Sequence, residues 1–324
     1  MTPRRPAYEK MMNVVHITED QVKAAVSIQD AVGLVEDAFL RLGQGQMVNH
    51  PRRRIGLEGG ALLHAMEAGC HLSRRFASKL YVTHPEQGAR FLVTLFDSDH
   101  ATILATIEAD ALGQIRTGAA SAVATKYMAR QNATVMGLLG SGWQAESQLA
   151  AIAQVRALSE VRVYSPTKAN REKFAATMSE RLGLNIRSVK SAEAAVNGAD
   201  IVTTITKSRD PVLKGKWLSP GTHINAAGSN HIKRRELDTL AVQLSQILVV
   251  DTLDQARSEA GDLVQAADEE CFFWERAIEL GEIVAGRRAG RESDNQITLF
   301  ESQGLAAQDL VLADAVYKRV AAGA

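Results

Sequence analysis

The chain has 324 residues, of which 46% are hydrophobic and 23% charged, a size that suits about two globular domains. It contains 37 Lys and Arg and 37 Asp and Glu, so it lacks the basic excess typical of proteins that bind nucleic acid or an anionic membrane. No apolar run reaches the roughly 18 residues that a membrane span needs, and residues 1–10 lack the apolar segment of a secretory signal. We therefore expect a soluble, cytoplasmic protein with no nucleic-acid or membrane partner.

The two cysteines, Cys70 and Cys271, are far apart in the sequence and have no His or Cys neighbours at metal-ligand spacing. This spacing argues against zinc, and no metal site is expected. Two reduced thiols in a cytosolic enzyme are the better interpretation, although one disulfide is compatible with the sequence.

The first 130 residues combine helical and strand-like patterns. Apolar residues at three-and-four spacing over residues 28–39 predict a helix, which Gly43 and Gly45 end. Beyond it, β-rich segments predict strands at residues 52–57, 61–66, 76–83, 91–97 and 102–108. Short turns join these strands, so residues 1–130 are expected to form a mostly antiparallel α+β region.

From about residue 131 the pattern changes to strands that alternate with helices. After a helical stretch at 109–130, we predict strands at 133–139, 161–164, 199–205, 223–227 and 247–250, with helices at 144–158 and 168–182. This alternation predicts βαβ units, and hence a Rossmann-type parallel-sheet domain over residues 131–304. The chain closes with a strand-like segment at 296–300 and a helical one at 308–320. The pattern alone does not tell which domain the last helix joins.

A glycine-rich turn lies between the strand at 133–139 and the helix that follows it. The turn is a G-x-G-x-x-A motif made of Gly140, Ser141, Gly142, Trp143, Gln144 and Ala145. Gly140 permits the tight turn, Gly142 lets a pyrophosphate approach the backbone, and Ala145 lets the helix pack closely on the strand. The free N–H groups at the start of the helix favour phosphate. The strand–turn–helix setting predicts binding of a nicotinamide dinucleotide.

The end of the second strand bears on the choice between NAD and NADP. An Asp or Glu there would bind the ribose hydroxyls of NAD, but this strand is followed by Ser165, Thr167 and Lys168, with Arg171 beyond. These side chains can hold a 2′-phosphate, or Lys168 and Arg171 can simply be solvated on the first turn of a helix. The cofactor is therefore NAD(P)H, with a slight preference for NADP.

Candidate groups for binding a substrate carboxylate lie before residue 130. Arg52 and Arg54 share one face of a predicted strand, and Arg53 lies on the other. Lys79 interrupts an apolar strand, where a buried ammonium would need an anion. Arg116 follows an apolar stretch of helix. A solvated strand edge for the arginines, an edge position for Lys79 and a solvent-facing Arg116 are the alternatives.

The sequence resembles the ornithine cyclodeaminase/μ-crystallin family. The segments that carry the resemblance are Pro51-Arg52, Lys79, and residues 113–119, 140–145, 259–263, 281–286 and 298–304. The resemblance implies a homodimer built through a substrate-binding first domain (1–130), to which the C-terminal helix (305–324) returns, and an active site in the cleft beside the Rossmann domain (131–304).

The resemblance also implies roles for individual residues. Arg52 or Arg54, together with Lys79 and Arg116, would bind the substrate α-carboxylate. Arg116 and Thr117 would lie near the cofactor phosphates, and Ser302 is assigned to the cofactor site. At the position where cyclodeaminases of this family carry an Asp, this chain has Asn230, which cannot act as a carboxylate base.

Asn230 favours family members that reduce an imino acid, or that oxidise an amino acid reversibly. Lys79 is the preferred proton donor, with His231 and Glu275 as alternatives. We expect NAD(P)H-dependent reduction of an imino acid (ketimine) to an amino acid. Because Arg74 and Arg75 add to the arginines at 52–54, iminosuccinate is one candidate substrate. An ornithine-type cyclodeaminase and a non-catalytic, crystallin-like NADP-binding protein are the alternatives.

Overall fold

The computed structural model describes residues 14–323, and its first β-sheet has seven strands. Their order is β1-β7-β6-β5-β4-β2, and β3 also pairs with β4. The β1–β7 pair is parallel and the other pairs of this sheet are antiparallel. The strands are β1 (Val15–Ile17), β2 (Met47–Asn49), β3 (Arg53–Gly56), β4 (Leu62–Cys70), β5 (Arg75–His84), β6 (Gly88–Asp97) and β7 (Thr102–Glu108).

The second sheet has eight strands, in the order β10-β9-β8-β11-β12-β15-β13-β14. Every pair of neighbouring strands in it is parallel, which confirms the predicted Rossmann-type sheet. Its central strands are buried along their whole length, as expected of strands covered on both faces. The strands are β8 (Val135–Leu139), β9 (Glu160–Tyr164), β10 (Ile186–Ser188), β11 (Ile201–Thr204), β12 (His223–Ala226), β13 (Ile247–Val250), β14 (Ala277–Glu279) and β15 (Thr298–Glu301).

Helices cover both sheets, and within residues 14–323 none is long and apolar enough to cross a membrane. Several helices shorter than nine residues, together with strands β1, β2, β10 and β14, escaped prediction because three to eight residues show too little periodicity. The helices are α1 (Glu19–Ala25), α2 (Ile28–Gly43), α3 (Asp110–Met128), α4 (Trp143–Val155), α5 (Lys168–Leu182), α6 (Ala192–Val196), α7 (Thr239–Leu244), α8 (Leu253–Glu259), α9 (Gly261–Asp268), α10 (Leu280–Val284) and α11 (Ala306–Ala322).

Helix α3 connects the first sheet to the start of the second. It is rich in buried Ala and Gly, and it packs against α4 more closely than larger side chains would allow. A Cβ atom on Gly118 would overlap the backbone carbonyl of Ser147 on α4. This close approach places residues 114–117 of α3 beside the first turn of α4.

Helix α11 packs against β4 and β5 of the first sheet, and also contacts α2 and α3. Its Leu310, Leu312 and Val316 are buried in the same core as the inner face of that sheet. Two polar residues of its first turn, Gln308 and Asp309, are fully buried as well. The last helix therefore places polar groups against the inner face of the first sheet.

Three buried carboxyl groups, those of Glu236, Asp262 and Glu301, lie near the carboxyl ends of the central parallel strands. Glu236 accepts hydrogen bonds from the backbone of Thr206 (2.6 Å) and Gly228 (2.8 Å), and so joins the loops after β11 and β12. One oxygen of Asp262 accepts from the backbone N–H of Glu236 at 2.8 Å. Its other oxygen, Oδ2, and Glu301 Oε2 are buried without a hydrogen-bond donor among the described residues.

Burial and mutual repulsion hold protons on this group. Burial is the largest cause in each case, and it raises the pKa of Glu236 to about 7 and that of Asp262 to about 6. The pKa of Glu301 lies well above its usual range because of burial and the neighbouring charges of Asp262 and Glu236. A proton shared between Glu301 and Asp262 accounts for their otherwise unpaired oxygens.

Replacing Glu301 with Gln should flatten the pH dependence of stability. A carboxyl group whose pKa is raised by folding stabilises the native state at low pH, and this stabilisation is lost as pH rises through the folded pKa. Gln keeps an N–H donor for Asp262 but cannot ionise. Between about pH 5 and about pH 8.5, the Tm of Glu301→Gln should therefore fall less steeply than that of the wild type, by a few degrees.

Calorimetry across this pH range measures the effect, and Glu86→Gln is the matched control. Glu86 is exposed in the turn between β5 and β6, so its replacement should leave the slope of Tm against pH unchanged. Equal slopes for Glu301→Gln and the wild type would contradict the shared proton.

Candidate active site

The glycine turn has the geometry required of a dinucleotide loop. Gly140 has a φ of +122°, a conformation that L side chains rarely adopt, and a Cβ there would lie 2.5 Å from the carbonyl oxygen of Ile205. Gly142 is the N-cap of α4, and a Cβ on it would face open space. The backbone at Gly142 is thus accessible to a phosphate, and the first N–H groups of α4 point towards the same region. The turn fits a pyrophosphate.

Residues of the first two turns of α4 also contact α3. Trp143 is about half exposed, and its carbonyl oxygen accepts a hydrogen bond from Gln114 Nε2 at 2.5 Å. The carbonyl oxygen of Thr117 accepts from Gln148 Nε2 at 3.2 Å. The Thr117 hydroxyl donates to a carbonyl of its own helix. Gln144 lies between these contacts, and its carbonyl oxygen accepts from the Ser147 hydroxyl at 3.0 Å.

The loop after β9 lies against the glycine turn. The hydroxyl groups of Ser141 and Ser165 are hydrogen bonded at 2.7 Å. Arg171 folds back to donate to the Ser165 carbonyl oxygen at 2.9 Å, and it lies over the Tyr164 ring. Lys168 stays exposed, 3.7 Å from Glu172. Thr167 is the N-cap of α5, and its side chain makes no capping hydrogen bond. Thr167 and Lys168 are therefore open to a ligand, whereas Arg171 is held by the loop itself.

Lys79 is buried on the inner face of β5, with 2% of its surface exposed. Its ammonium donates to Asp309 Oδ1 at 2.8 Å and lies 5.1 Å from the centre of the Phe91 ring. Burial lowers the pKa of Lys79 to about 8, with Arg116 acting in the same direction and Asp309 opposing it. The alternative of a solvated edge position does not apply to this residue. A lysine with such a pKa can give up or take a proton near neutral pH.

Arg116 shares the carboxylate of Asp309 with Lys79. Its Nε lies 3.4 Å from Asp309 Oδ1, and its Nη1 donates to Gln308 Oε1 at 3.2 Å. The guanidinium is nearly buried and lies against the backbone of Gly304. Arg116 therefore does not point to solvent: it joins α3 to the start of α11.

Arg52 and Arg54 contact the same buried carboxylate, that of Glu259 on α8. Arg52 is buried, and its Nη2 also donates to the Gln303 carbonyl oxygen at 2.9 Å. The side chain of Arg54 is about one quarter exposed, and its Nη2 donates to the Asn230 carbonyl oxygen at 3.0 Å. Arg53 points away and pairs with Glu67 on the exposed side. The alternation predicted for this strand is observed.

Asn230 is an exposed residue in the loop after β12, and its backbone carbonyl oxygen accepts the hydrogen bond from Arg54. His231 follows it, and burial together with the charge of Arg54 lowers the pKa of this imidazole. Glu275 lies elsewhere, exposed in a single 3-10 turn at residues 274–276, and no described hydrogen bond or ion pair connects it to these groups. Asn230 thus lies next to Arg54, whereas Glu275 lies outside the site.

Ser302 donates its hydroxyl hydrogen to buried Asp251 at 3.1 Å. The same carboxylate oxygen accepts from the backbone N–H groups of Gln303 and Gly304, both at 2.7 Å. Its other oxygen accepts from Gln308 at 3.1 Å. Asp251 therefore shapes the loop that touches Arg52 and Arg116, and the hydroxyl of Ser302 is engaged inside that loop.

Four cationic side chains thus lie together with two carboxylates; we call Arg52, Arg54, Lys79, Arg116, Glu259 and Asp309 the cationic cluster. Its ion pairs leave an excess of positive charge in a largely dry environment. Such an arrangement attracts an anion strongly, because an uncompensated buried charge is costly. Through α3 the cluster is adjacent to the first turn of α4, where a dinucleotide fits.

Neither carboxylate of this cluster was predicted from the sequence. A buried Lys79 implied an anion, but not its position more than two hundred residues away. Asp309 is the lone acid in the stretch 304–313, which is apolar apart from Asp309 and Gln308, and this is an available signal. Glu259 opens one of the segments that carry the family resemblance, and its role was not recognised.

Comparison with known proteins gives consistent results. The family model for the ornithine cyclodeaminase/mu-crystallin family matches residues 9–324. The structure of Thermococcus litoralis Δ(1)-pyrroline-2-carboxylate reductase, in complex with NADH and L-proline, is 35% identical with a TM-score of 0.92, over 96% of this chain and 98% of that one. An archaeal alanine dehydrogenase dimer with bound NAD is 32% identical with a TM-score of 0.90, over 96% and 97%.

A third solved structure, the iminosuccinate reductase of Paracoccus denitrificans in complex with NAD⁺, is 26% identical. Its TM-score is 0.90, and the match covers 96% of this chain and 97% of that one. The family model covers residues 9–324, and each of these three solved structures matches the fold over 96% of the chain. The chain belongs to the ornithine cyclodeaminase/mu-crystallin family.

Proposed function

We propose that this protein is an NAD(P)H-dependent oxidoreductase that reduces an imino acid (ketimine) to the corresponding amino acid. The observation that carries the proposal is the position of the cationic cluster, which α3 holds beside the first turn of α4. A substrate carboxylate in the cluster would therefore lie next to a nicotinamide cofactor bound at the glycine turn. The relatives named for reduction of pyrroline-2-carboxylate and iminosuccinate support this reaction class.

Each residue of the site has a role that follows from its chemistry. Arg52, Lys79 and Arg116 bind the α-carboxylate and thereby orient the C=N bond. When bound, the reduced nicotinamide supplies the hydride that the imine carbon accepts. Lys79, with a pKa of about 8, supplies the proton that the nitrogen needs. Asn230 offers a neutral amide that orients the nitrogen by hydrogen bonding.

The two alternatives are less well supported. A cyclodeaminase reaction would need a base at Asn230, and an amide cannot accept a proton there. A purely cofactor-binding protein would not need a lysine held at a pKa of about 8 between Asp309 and Arg116. The cluster therefore favours catalysis of imine reduction.

A second carboxylate on the substrate would need a cationic partner, and Arg54 is the residue that can provide it. Arg74 and Arg75, which suggested a dicarboxylate, pair instead with Asp99 and Asp97 at the other end of β5. Arg54 is the arginine of the cluster with the most exposed side chain, so it can reach a substrate side chain. Iminosuccinate remains a candidate on this ground, beside Δ¹-pyrroline-2-carboxylate and the imine of pyruvate.

A substrate panel tests the reaction. We expect the purified protein to oxidise NADH or NADPH with Δ¹-pyrroline-2-carboxylate, with oxaloacetate plus ammonia, or with pyruvate plus ammonia. Lys79→Ala should lower kcat/KM at least 100-fold, because it removes both a carboxylate contact and the proton donor. Its dinucleotide affinity, measured by nicotinamide fluorescence, should stay within about twofold of the wild type.

Lys126→Ala is the control, since Lys126 is a half-exposed lysine that pairs with Glu36. For the wild type, kcat/KM should fall as pH rises through about 8, because the Lys79 ammonium is then lost. Absence of turnover with every imine, or full activity of Lys79→Ala, would refute the proposed reaction. Ammonia release from ornithine without net NADH would support a cyclodeaminase instead.

For the cofactor, we propose that both NADH and NADPH bind and that NADPH is preferred. No acid follows β9 to bind an adenosine ribose, and Thr167 and Lys168 are open at the position where a 2′-phosphate would lie. Ser141 and Ser165 join the phosphate loop to this second loop. Arg171 is a less suitable ligand because it already donates to backbone carbonyls.

Lys168→Ala should raise the KM for NADPH about fivefold and leave the KM for NADH unchanged, since only NADPH carries the extra phosphate. Initial rates with both cofactors measure this change in preference. Lys173→Ala, later on the same helix, is the control for loss of surface charge. Equal changes in KM for NADPH and NADH would show that Lys168 does not bind the 2′-phosphate.

We further propose a homodimer formed through the outer face of the first sheet. Large apolar side chains cover this face, opposite to Lys79. They are Ile55, Leu63, Phe76, Leu80, Val82, Leu92 and Ile103, each exposed by 37% or more. Cross-strand pairing places Leu80 opposite Leu92, and Phe76 near Ile103 through Phe96; the row of Glu67, Ser78 and Thr94 lies between these two groups. Such a patch is typical of an interface, and the archaeal alanine dehydrogenase is a dimer.

The proposed organisation assigns residues 1–130 and 305–324 to a substrate-binding and dimerisation domain, and residues 131–304 to the dinucleotide domain; residues 1–13 and 324 lie outside the described residues. We place the enzyme in the cytoplasm, because Cys70 and Cys271 are free thiols, as is usual in a reducing compartment.

Leu80→Glu should convert the dimer to monomers, because it places a charge at the centre of the apolar face. Sedimentation or light scattering should show the mass fall by half. Leu72→Glu is the matched control: Leu72 is 60% exposed, but it lies in the turn between β4 and β5. A monomeric wild type, or a dimer in Leu80→Glu, would exclude this interface.

A further inference from the structure

Three aromatic rings form a stack on the inner face of the first sheet, beside the cationic cluster. His64, Tyr81 and Phe91 are direct neighbours on β4, β5 and β6. The rings of His64 and Tyr81 are parallel with centres 4.3 Å apart, and those of Tyr81 and Phe91 are 4.6 Å apart. The stack holds the Tyr81 ring in one orientation.

The position of Tyr81 is set by strand pairing. Tyr81 follows Lys79 by two residues on β5, so both side chains lie on the inner face. On the other side, Arg54 pairs with His64 across β3 and β4. Tyr81 therefore lies in the row between Arg54 and Phe91, next to the row that contains Lys79.

The hydroxyl of Tyr81 is surrounded by charges of the cluster but bonded to none of them. The charges that act on it are those of Arg52, Arg54, Glu259 and Arg116. Unlike the hydroxyl of Tyr127, which donates to Glu36, it has no hydrogen-bond partner within residues 14–323. The Tyr81 oxygen is not one of the buried polar atoms that lack a partner, so it has surface open to the space beside the cluster. A ligand in that space can accept its hydrogen bond.

The charges also indicate the kind of ligand. Burial is the largest influence on the phenol and raises its pKa, so it stays protonated throughout the neutral range. Glu259, the acid among these charges, already pairs with Arg52 and Arg54, so the acceptor that a ligand would bring to the phenol is an anion that the guanidinium groups attract. The substrate carboxylate is that anion in the proposed function.

We propose that Tyr81 is a further substrate-binding residue, whose hydroxyl donates a hydrogen bond to the substrate carboxylate held by Arg52 and Arg116. His64 and Phe91 cover the two faces of the Tyr81 ring, so the stack presents ring edges and the hydroxyl to the imino acid. This assignment rests on the proposed function and adds the hydroxyl to its binding site.

Tyr81→Phe tests the inference, because it removes the hydroxyl and keeps the stacked ring. The KM for Δ¹-pyrroline-2-carboxylate should rise about tenfold with kcat nearly unchanged, as expected when a contact to a charged group is lost equally from ground and transition states. The fluorescence affinity for NADPH should not change. Tyr127→Phe, which removes a hydroxyl from α3 far from the cluster, should leave both constants as in the wild type.

Calorimetry with pyrrole-2-carboxylate, a planar analogue that is not reduced, provides a measurement that does not need turnover. In the presence of NADPH its affinity should fall about tenfold in Tyr81→Phe, whereas pyrrole-2-carboxamide should bind equally weakly to both proteins. An unchanged KM and affinity in Tyr81→Phe, or a loss confined to kcat, would overturn the assignment. An inactive wild type that still shows the calorimetric difference would refute the proposed reaction and leave Tyr81 as a carboxylate ligand.

Discussion

The arrangement of the candidate site depends on one buried carboxylate, that of Asp309, which Lys79 and Arg116 share. An ammonium inside a β-sheet is tolerated only with a partner, and removing one partner of such a pair typically costs about 3–5 kcal/mol. The partner here comes from the last helix of the chain. The requirement for charge compensation therefore fixes α11 against β5 and α3, and it brings residues from three distant segments into contact.

Glu259 forms ion pairs with both Arg52 and Arg54 in the same way. In both cases one carboxylate faces two cations, so each pair of cations is held in place without being neutralised. Full neutralisation would remove the attraction for a substrate anion, and no compensation at all would make the fold too costly. One acid for two cations satisfies both demands, so the cationic cluster is nearly dry and keeps a net positive charge.

The sequence was most informative where the chemistry is local. The glycine turn, the alternation at Arg52 to Arg54 and the parallel sheet follow from neighbouring residues, so they could be predicted. The partners of Lys79 and Arg52 could not, because Asp309 and Glu259 are joined to them only by the fold. Tyr81 shows the same limit: its place in an apolar strand is visible, but the cations around its hydroxyl come from β3, α3 and the segment before β3.

Helix α3 is the element through which the two halves of the site are coupled. Gln114 contacts the first turn of α4, Arg116 contacts Asp309, and Gly118 allows the two helices to touch. These residues lie within two turns of one rigid helix, so the distance between the first turn of α4 and the cationic cluster is set by helix geometry rather than by loops. Hydride transfer needs the two reactants in close, fixed alignment. The Ala- and Gly-rich composition of α3, which gives it little amphipathic character, is therefore a requirement of the site, because bulkier residues would separate α3 from α4.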